Sequence, residues 1–203
     1  MRTRVAIVYH SGYGHTDRQA QAVARGVDSV EGSAARLIRV EDVEQHWDDL
    51  NGADAIIFGA PTYFGSASAE FKRFAEASVK VWVDDLPWRD KLAAGFTNSK
   101  TMSGDKLNTL LSFVILAAQH GMQWVGLDLY PGWHTKDGSP DELNRLGSWV
   151  GAMAQSNSDA SPDEAPHPSD LRTAEYLGRR VALLAQRWAR ARDVAREKQH
   201  LSA

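Results

Sequence analysis

The chain has 203 residues, a formal net charge of -3 and no cysteine. This length predicts one domain with a sizeable core, and the lack of cysteine excludes disulfides, thiol catalysis and thiolate metal sites. The mild acidity provides no basic surface for nucleic acid, no apolar run reaches the roughly 20 residues of a membrane span, and the first residues lack a signal-peptide pattern. We therefore expect a cytoplasmic protein that binds no metal, no nucleic acid and no membrane.

Strand-like segments alternate with helical ones along the chain. The first strand is the apolar run 4–9, and the others are predicted at 34–40, 53–59, 92–97 and 122–127. Helices are predicted at 16–30, 67–78 and 106–120, and from about 169 onward. Five βα units in series predict an α/β fold, a doubly wound parallel sheet with helices on both faces. The domain is expected to cover 1–190, with a charged C-terminal tail at 191–203.

The turn after the first strand reads Ser11-Gly-Tyr-Gly-His-Thr16. Such a turn leaves backbone N–H groups free at a helix N-terminus, where an anion is favoured; alternatively, Ser11 and Thr16 only cap the helix. A Rossmann fingerprint needs a third glycine where this chain has Asp17, and the lysine of a Walker loop is missing. A flavodoxin-like sheet of order 2-1-3-4-5, which binds FMN between its first and third strands, fits better.

Two further loops follow strands that would end at the same edge of the sheet. In the loop 60–66, Pro61 and Gly65 favour a rigid reversal; Tyr63 is a candidate to border a flat ring, while Phe64 could belong to the core. The loop 97–105 is small and polar, which is typical of an ordinary βα connection but would also line the other side of a bound ring.

The segment 128–169 is far longer than the usual connection of about 4–6 residues. Its first half carries Tyr130, Trp133, His134 and Trp149, which could form a surface loop, a pocket wall or a subunit contact. Its second half, from Gln155 onward, is rich in Ser, Pro and Asp, and we interpret it as a surface loop.

Three ordered motifs resemble one family, the flavodoxin-like NAD(P)H:quinone oxidoreductases of the WrbA (tryptophan-repressor-binding protein) type. They are Ser11-Gly-Tyr-Gly-His15, Asp54-Ala-Ile-Ile-Phe-Gly-Ala-Pro-Thr-Tyr-Phe-Gly65 and Ala117-Ala-Gln-His-Gly-Met122. The resemblance covers residues 4 to about 127. It implies an FMN-dependent enzyme that passes two electrons from NADH or NADPH to a quinone or similar acceptor.

The resemblance also implies site residues. FMN would be bound on its phosphate side by Ser11, Tyr13, Gly14, His15 and Thr16, and on its ring side by Pro61, Thr62, Tyr63, Phe64, Gly65, Thr97, Asn98 and Ser99. His120 matches a histidine near the flavin and would be catalytic, and Trp82 matches a tryptophan that reaches a neighbouring subunit's site. A homodimer or homotetramer is expected, with Trp82, Trp88 or Trp133 at the interface.

The chain departs from this family at one informative position. The family usually has arginine, tied to binding the reductant, where this chain has Tyr63. The alternative is an electron-carrier flavodoxin without a substrate of its own, although carriers of that kind tend to be strongly acidic around the flavin.

Overall fold

The computed structural model describes residues 2–201, with side chains up to residue 191. The strands are β1 (Thr3–Tyr9), β2 (Ser33–Arg39), β3 (Ala55–Tyr63), β4 (Ser66–Ala67), β5 (Leu92–Ser99), β6 (Gln123–Trp124) and β7 (Ala152–Gln155). The α-helices are α1 (His15–Asp28), α2 (Trp47–Gly52), α3 (Ala69–Ala77), α4 (Val79–Trp82), α5 (Lys106–Gln119) and α6 (Pro168–Leu201). A 3-10 helix covers Val40–Gln45.

The sheet has the order β2-β1-β3-β5-β6, and these neighbouring strands are all parallel. Ile7 of β1 lies opposite Leu37 of β2 and Ile57 of β3, so the apolar runs are central and buried on both faces. Five parallel positions in the order 2-1-3-4-5 confirm the predicted flavodoxin-like sheet. Because parallel strands run in one direction, the ends of β1, β3 and β5 meet at one edge.

The fifth position of the sheet is divided between two short strands. β6 pairs with the start of β5 (Ala93 opposite Trp124), and β7 pairs with its end (Phe96 opposite Ala152). The predicted strand at 122–127 was therefore too long, because the amide of Leu127 already bonds to Trp149 in the inserted segment. The interpretation of 128–169 as one long loop was also wrong, since it contains β7.

Helices cover both faces of the sheet, as predicted. On one face, α1 and α6 cross closely at two glycines: a Cβ on Gly26 would lie 1.9 Å from the Glu175 carbonyl oxygen, and one on Gly178 would lie 2.0 Å from that of Val23. On the other face, α2, α3 and α5 enclose an aromatic core that includes Phe58, Phe71, Phe74 and Phe113.

Two expectations about the rest of the chain need correction. Trp88 is fully buried between Phe74 and Trp47, so it belongs to the core and not to an interface. The helix α6 continues to Leu201, so the charged residues from 191 to 201 extend a helix; Ser202 and Ala203 lie outside the described residues. Within residues 2–201, no helix is long and apolar enough to cross a membrane.

Candidate functional site

A cavity of about 1040 Å³ opens where β1, β3 and β5 end. This volume is at the high end of the range found for small-molecule sites, so the cavity can hold an organic ligand. Four chain segments line it: the first loop (residues 10–16), the second loop (60–66), the third loop (97–105) and a segment at 156–162 that we call the fourth wall.

The first loop presents the N-terminus of α1 to this cavity. The Ser11 hydroxyl accepts bonds from the amides of Gly14 (3.1 Å) and Asp17 (3.0 Å), so Ser11 caps the first turn of α1, which is one of the two roles that the sequence allowed it. Gly14 adopts the left-handed region (φ 89°) as the helix cap. The amides of His15 and Thr16 have no hydrogen-bond partner in the described part of the chain, so they can bind an anion there.

The second loop is a two-residue hairpin between β3 and β4. Phe64 (φ 48°) and Gly65 (φ 79°) both have positive φ, as the mirror-image turn of a tight hairpin requires. The Phe64 side chain is fully exposed at the tip, so its interpretation as a core residue was wrong. A bulky residue in this strained conformation, held at the mouth of a cavity, points to a functional role.

Tyrosine rings form the side of the cavity below this tip. Tyr13 is mostly exposed and lies edge-on to Tyr63, with the ring centroids 6.4 Å apart. Burial, with Tyr13 and Glu70 nearby, raises the pKa of Tyr63 above its usual value, so its phenol stays neutral at physiological pH. Two flat, uncharged faces therefore border the cavity.

A chain of buried hydroxyls joins the second loop to the third. The Thr62 Oγ1 atom lies 2.8 Å from Thr97 Oγ1 and 2.8 Å from Thr109 Oγ1. Asn98 and Ser99 line the cavity, whereas Thr97 is fully buried and holds β5 against β3. The structure thus brings together the predicted residues of the three loops: most of them line the cavity, and Ser11, Gly14 and Thr97 lie behind that lining.

The fourth wall is the part of the site that sequence reasoning missed. Ser156 donates its amide to Ser99 (3.0 Å) and its hydroxyl to Asn98 (3.0 Å). The His15 ring donates from Nε2 to the Ala160 carbonyl at 2.9 Å. A Cβ on Gly14 would lie 2.6 Å from Pro162 Cγ, so the first loop and the fourth wall touch.

The aromatic half of the inserted segment lies elsewhere. Tyr130 packs edge-on against Trp149 and His134, and none of these three residues lines the cavity. The only sequence signal for the fourth wall was its Ser, Asn and Pro composition, which the polar and tight lining explains in retrospect.

His120 and Trp82 do not reach this cavity in their own chain. His120 follows the last residue of α5, whose first turn faces the cavity, and the helix spans about 20 Å. Its ring is buried against Trp88 and bonds through Nε2 to Ser78 at 2.9 Å. His120 therefore does not lie at the cavity of its own chain, and its assignment as a catalytic residue stays a prediction. Trp82 is half-exposed and donates to the Gln119 carbonyl.

The sheet order and the cavity at the ends of its first, third and fourth parallel positions define the flavodoxin-like class. The chain belongs to the flavodoxin domain family, whose model matches residues 6–112.

Relatives match over nearly the whole chain. Flavodoxin FldP of Pseudomonas aeruginosa is 43% identical over 188 residues, which cover 91% of this chain and 97% of the relative. An NAD(P)H dehydrogenase (quinone) of Syntrophobacter fumaroxidans is 36% identical and is covered over 99% of its length, with 92% of this chain aligned. A WrbA-like flavodoxin structure from Agrobacterium tumefaciens aligns with a TM-score of 0.70 at 41% identity, covering 91% of this chain and 98% of that one. The resemblance inferred from the three motifs is thereby confirmed.

Proposed function

We propose that this cavity binds FMN and that the protein is an NAD(P)H oxidoreductase that reduces a quinone or a similar acceptor. One observation supports this proposal most. The same cavity is lined at one end by unpaired amides at a helix N-terminus and at the other by a hairpin with aromatic side chains. A phosphate monoester fits the first feature, and a flat heterocycle fits the second.

The residues present suit FMN in detail. The amides of His15 and Thr16 would bind its phosphate without help from a lysine or arginine. Tyr63 and Phe64 would border the ring, and Asn98 and Ser99 would face its polar edge. Glycine at position 14 is required, because its positive φ and the contact with Pro162 leave no room for a side chain.

Bound FMN would supply the chemistry by accepting a hydride equivalent from the nicotinamide and passing two electrons to the acceptor. The protein's residues would orient the reactants. Tyr63 would border the ring without placing a negative charge beside it, and the exposed Phe64 ring offers a flat apolar surface to an incoming quinone. Because Tyr63 replaces the family's arginine, we assign contact with the nicotinamide's phosphates to Lys100, the only lysine or arginine among the described lining residues.

An electron-carrier flavodoxin remains the second candidate function, because a relative at 43% identity is named a flavodoxin. The charge around the cavity favours the enzyme. Asp105 is the one carboxylate among the described lining residues, and Lys100 offsets it. A carrier that steers basic partners would need a strongly acidic rim.

We also propose a cytoplasmic homodimer or homotetramer. Exposed apolar side chains support it: Trp82 and Trp133 are both partly exposed, and Leu107, Leu111 and Ile115 form an exposed row on α5. A neighbouring subunit's Trp82 would then be the residue to approach the flavin, as the family resemblance suggests.

FMN binding is tested by titrating the purified apoprotein and following the visible spectrum and flavin fluorescence. Riboflavin, which lacks the phosphate, is the matched ligand control. We expect FMN to bind at least about tenfold more tightly, since charged hydrogen bonds contribute roughly 1.5–3 kcal/mol each. A protein that binds neither flavin would refute the proposal.

Turnover separates the enzyme from the carrier. NADH or NADPH oxidation is measured in the steady state with benzoquinone as the acceptor and FMN-loaded protein. If the protein is an enzyme, we expect sustained oxidation of the nicotinamide by the unmodified protein. We also expect the Lys100→Ala variant to have a raised KM for the nicotinamide. A protein that binds FMN but oxidises neither nicotinamide, and that accepts electrons only from a separate reductase, is a carrier.

A further inference from the structure

Lys106 is a buried lysine that the proposed function does not yet use. It is the first residue of α5, directly after the third loop, and its side chain is 0% exposed. Lysine is almost never fully buried without a charged partner, because removing an ammonium from water is expensive. Its presence behind a cavity wall therefore needs a reason.

The ammonium is tied to the third loop by one bond. Lys106 Nζ donates to the Thr101 carbonyl at 2.9 Å, and the same oxygen accepts from Ser99 Oγ at 3.0 Å. Thr101 lines the cavity, so the positive charge lies behind the wall, separated from the cavity by that residue.

The carboxylate whose charge acts on Lys106, that of Asp170, is already committed to another cation. Asp170 forms two hydrogen bonds of 2.8 Å with Arg145, and both side chains are almost fully buried. Lys106 makes no ion pair with any carboxylate of the described residues. The cluster of Lys106, Arg145 and Asp170 thus keeps one uncompensated positive charge, at a place where little water screens it.

A ligand that becomes more negative in the cavity would compensate that charge. The flavin of the proposed function gains electrons when it is reduced, and the third loop borders its ring. We propose that Lys106 is a positioning residue for this site: it fixes the Thr101 carbonyl and places a positive charge behind the ring that favours the reduced flavin. The inference rests on the proposed FMN site.

The two parts of this role are separated by two substitutions. Lys106→Gln removes the charge and keeps a donor for Thr101, whereas Lys106→Met removes both. The control is Lys72→Gln, which makes the same charge change at a side chain that is 68% exposed on α3. Water and salt screen a charge at that position.

The primary measurement is the midpoint potential of bound FMN, by equilibration with redox dyes. Both Lys106 variants should weaken the preference for the reduced state about tenfold, which for a two-electron couple is about 30 mV more negative. Lys72→Gln should match the unmodified protein. Only Lys106→Met should also raise the FMN Kd and speed hydrogen exchange in the third loop. Potentials that are equal in the Lys106 variants and the unmodified protein would overturn the inference.

A second measurement needs no variant. Burial lowers the pKa of Lys106 to about 8, with Asp170 and Arg145 as the charged groups that act on it. Loss of the lysine proton should therefore lower the potential more steeply above pH 8 than the flavin's own protons require. A slope without this bend overturns the inference, whereas failure to bind FMN at all would instead refute the proposed function.

Discussion

The buried pair between Asp170 and Arg145 gives the sharpest test of how the site is held. The Asp170 and Arg145 side chains are 2% and 5% exposed, and two bonds of 2.8 Å join them. Asp170 also accepts the amide of Gln155 at 3.0 Å, at the end of β7. Because the fourth wall begins at the next residue, this carboxylate anchors one side of the cavity to α6.

Asp170→Asn keeps the shape of the side chain and removes its charge. Arg145 then remains buried without a compensating charge, and breaking such a pair typically costs about 3–5 kcal/mol. The amide oxygen can still accept one bond, so we expect a loss near the low end, about 3 kcal/mol of unfolding free energy. The matched control is Asp128→Asn, whose pair with Arg180 is 65% exposed on the carboxylate side. Exposed pairs contribute at most about 1 kcal/mol.

Urea unfolding followed by tryptophan fluorescence measures both losses, since the chain has seven tryptophans. The midpoint should fall in Asp170→Asn while the slope of the unfolding free energy against urea stays the same. FMN affinity should fall as well, because the fourth wall loses its anchor. If Asp170→Asn and Asp128→Asn lose the same small amount, the reasoning about the buried pair is refuted.

Three other substitutions test separate features. Gly14→Ala should weaken FMN binding at least tenfold and lower the unfolding free energy by about 1–2 kcal/mol, because its Cβ strains the positive φ and displaces Pro162; unchanged FMN titrations would contradict this. Thr62→Val leaves the Thr97 hydroxyl without its partner and should lower the unfolding free energy by about 1–3 kcal/mol in urea, whereas Thr→Val at an exposed position should not. Burial lowers the pKa of His120 from 6.5 to about 4. As the pH falls, the histidine therefore gains its proton in the unfolded chain before it does so in the folded one. The unfolding free energy should fall by on the order of 3 kcal/mol between pH 6.5 and 4. In His120→Phe this part of the acid dependence of Tm should vanish. If the variant and the unmodified protein have the same Tm at every pH, the linkage to His120 is disproved.

The sheet and three sides of the cavity could be predicted because their signals are local. Apolar runs reveal buried parallel strands, and Gly14 and Pro61 mark tight connections within a few residues of each strand end. The fourth wall depends on β7, a strand of four residues that pairs with β5 only after a detour of more than 25 residues. So short a segment has no distinctive periodicity, and its pairing is decided by long-range packing.

The prediction for His120 came from a different kind of signal. The family resemblance assigned a role that concerns an assembled site, whereas helix geometry concerns the single chain. Fourteen residues of α5 separate the third loop from His120, and a rise of 1.5 Å per residue places it at the opposite edge of the sheet. The length of α5 therefore keeps His120 away from its own cavity, and only a neighbouring subunit could bring such a histidine to the site.

Charges at different places around the cavity would have different effects: some would change only the affinity for FMN, and others would change its redox equilibrium. At the end of the cavity proposed to bind the phosphate, the first loop offers amides and a helix dipole but no lysine or arginine in contact with the cavity. The charge of a phosphate does not change during turnover, so a cation there would add affinity equally to both redox states. Lys106 instead lies behind the third loop, beside the part of FMN whose charge changes on reduction in the proposed arrangement. In that arrangement a buried cation would have its largest effect on the redox equilibrium, and this would account for a lysine that is buried without an ion pair.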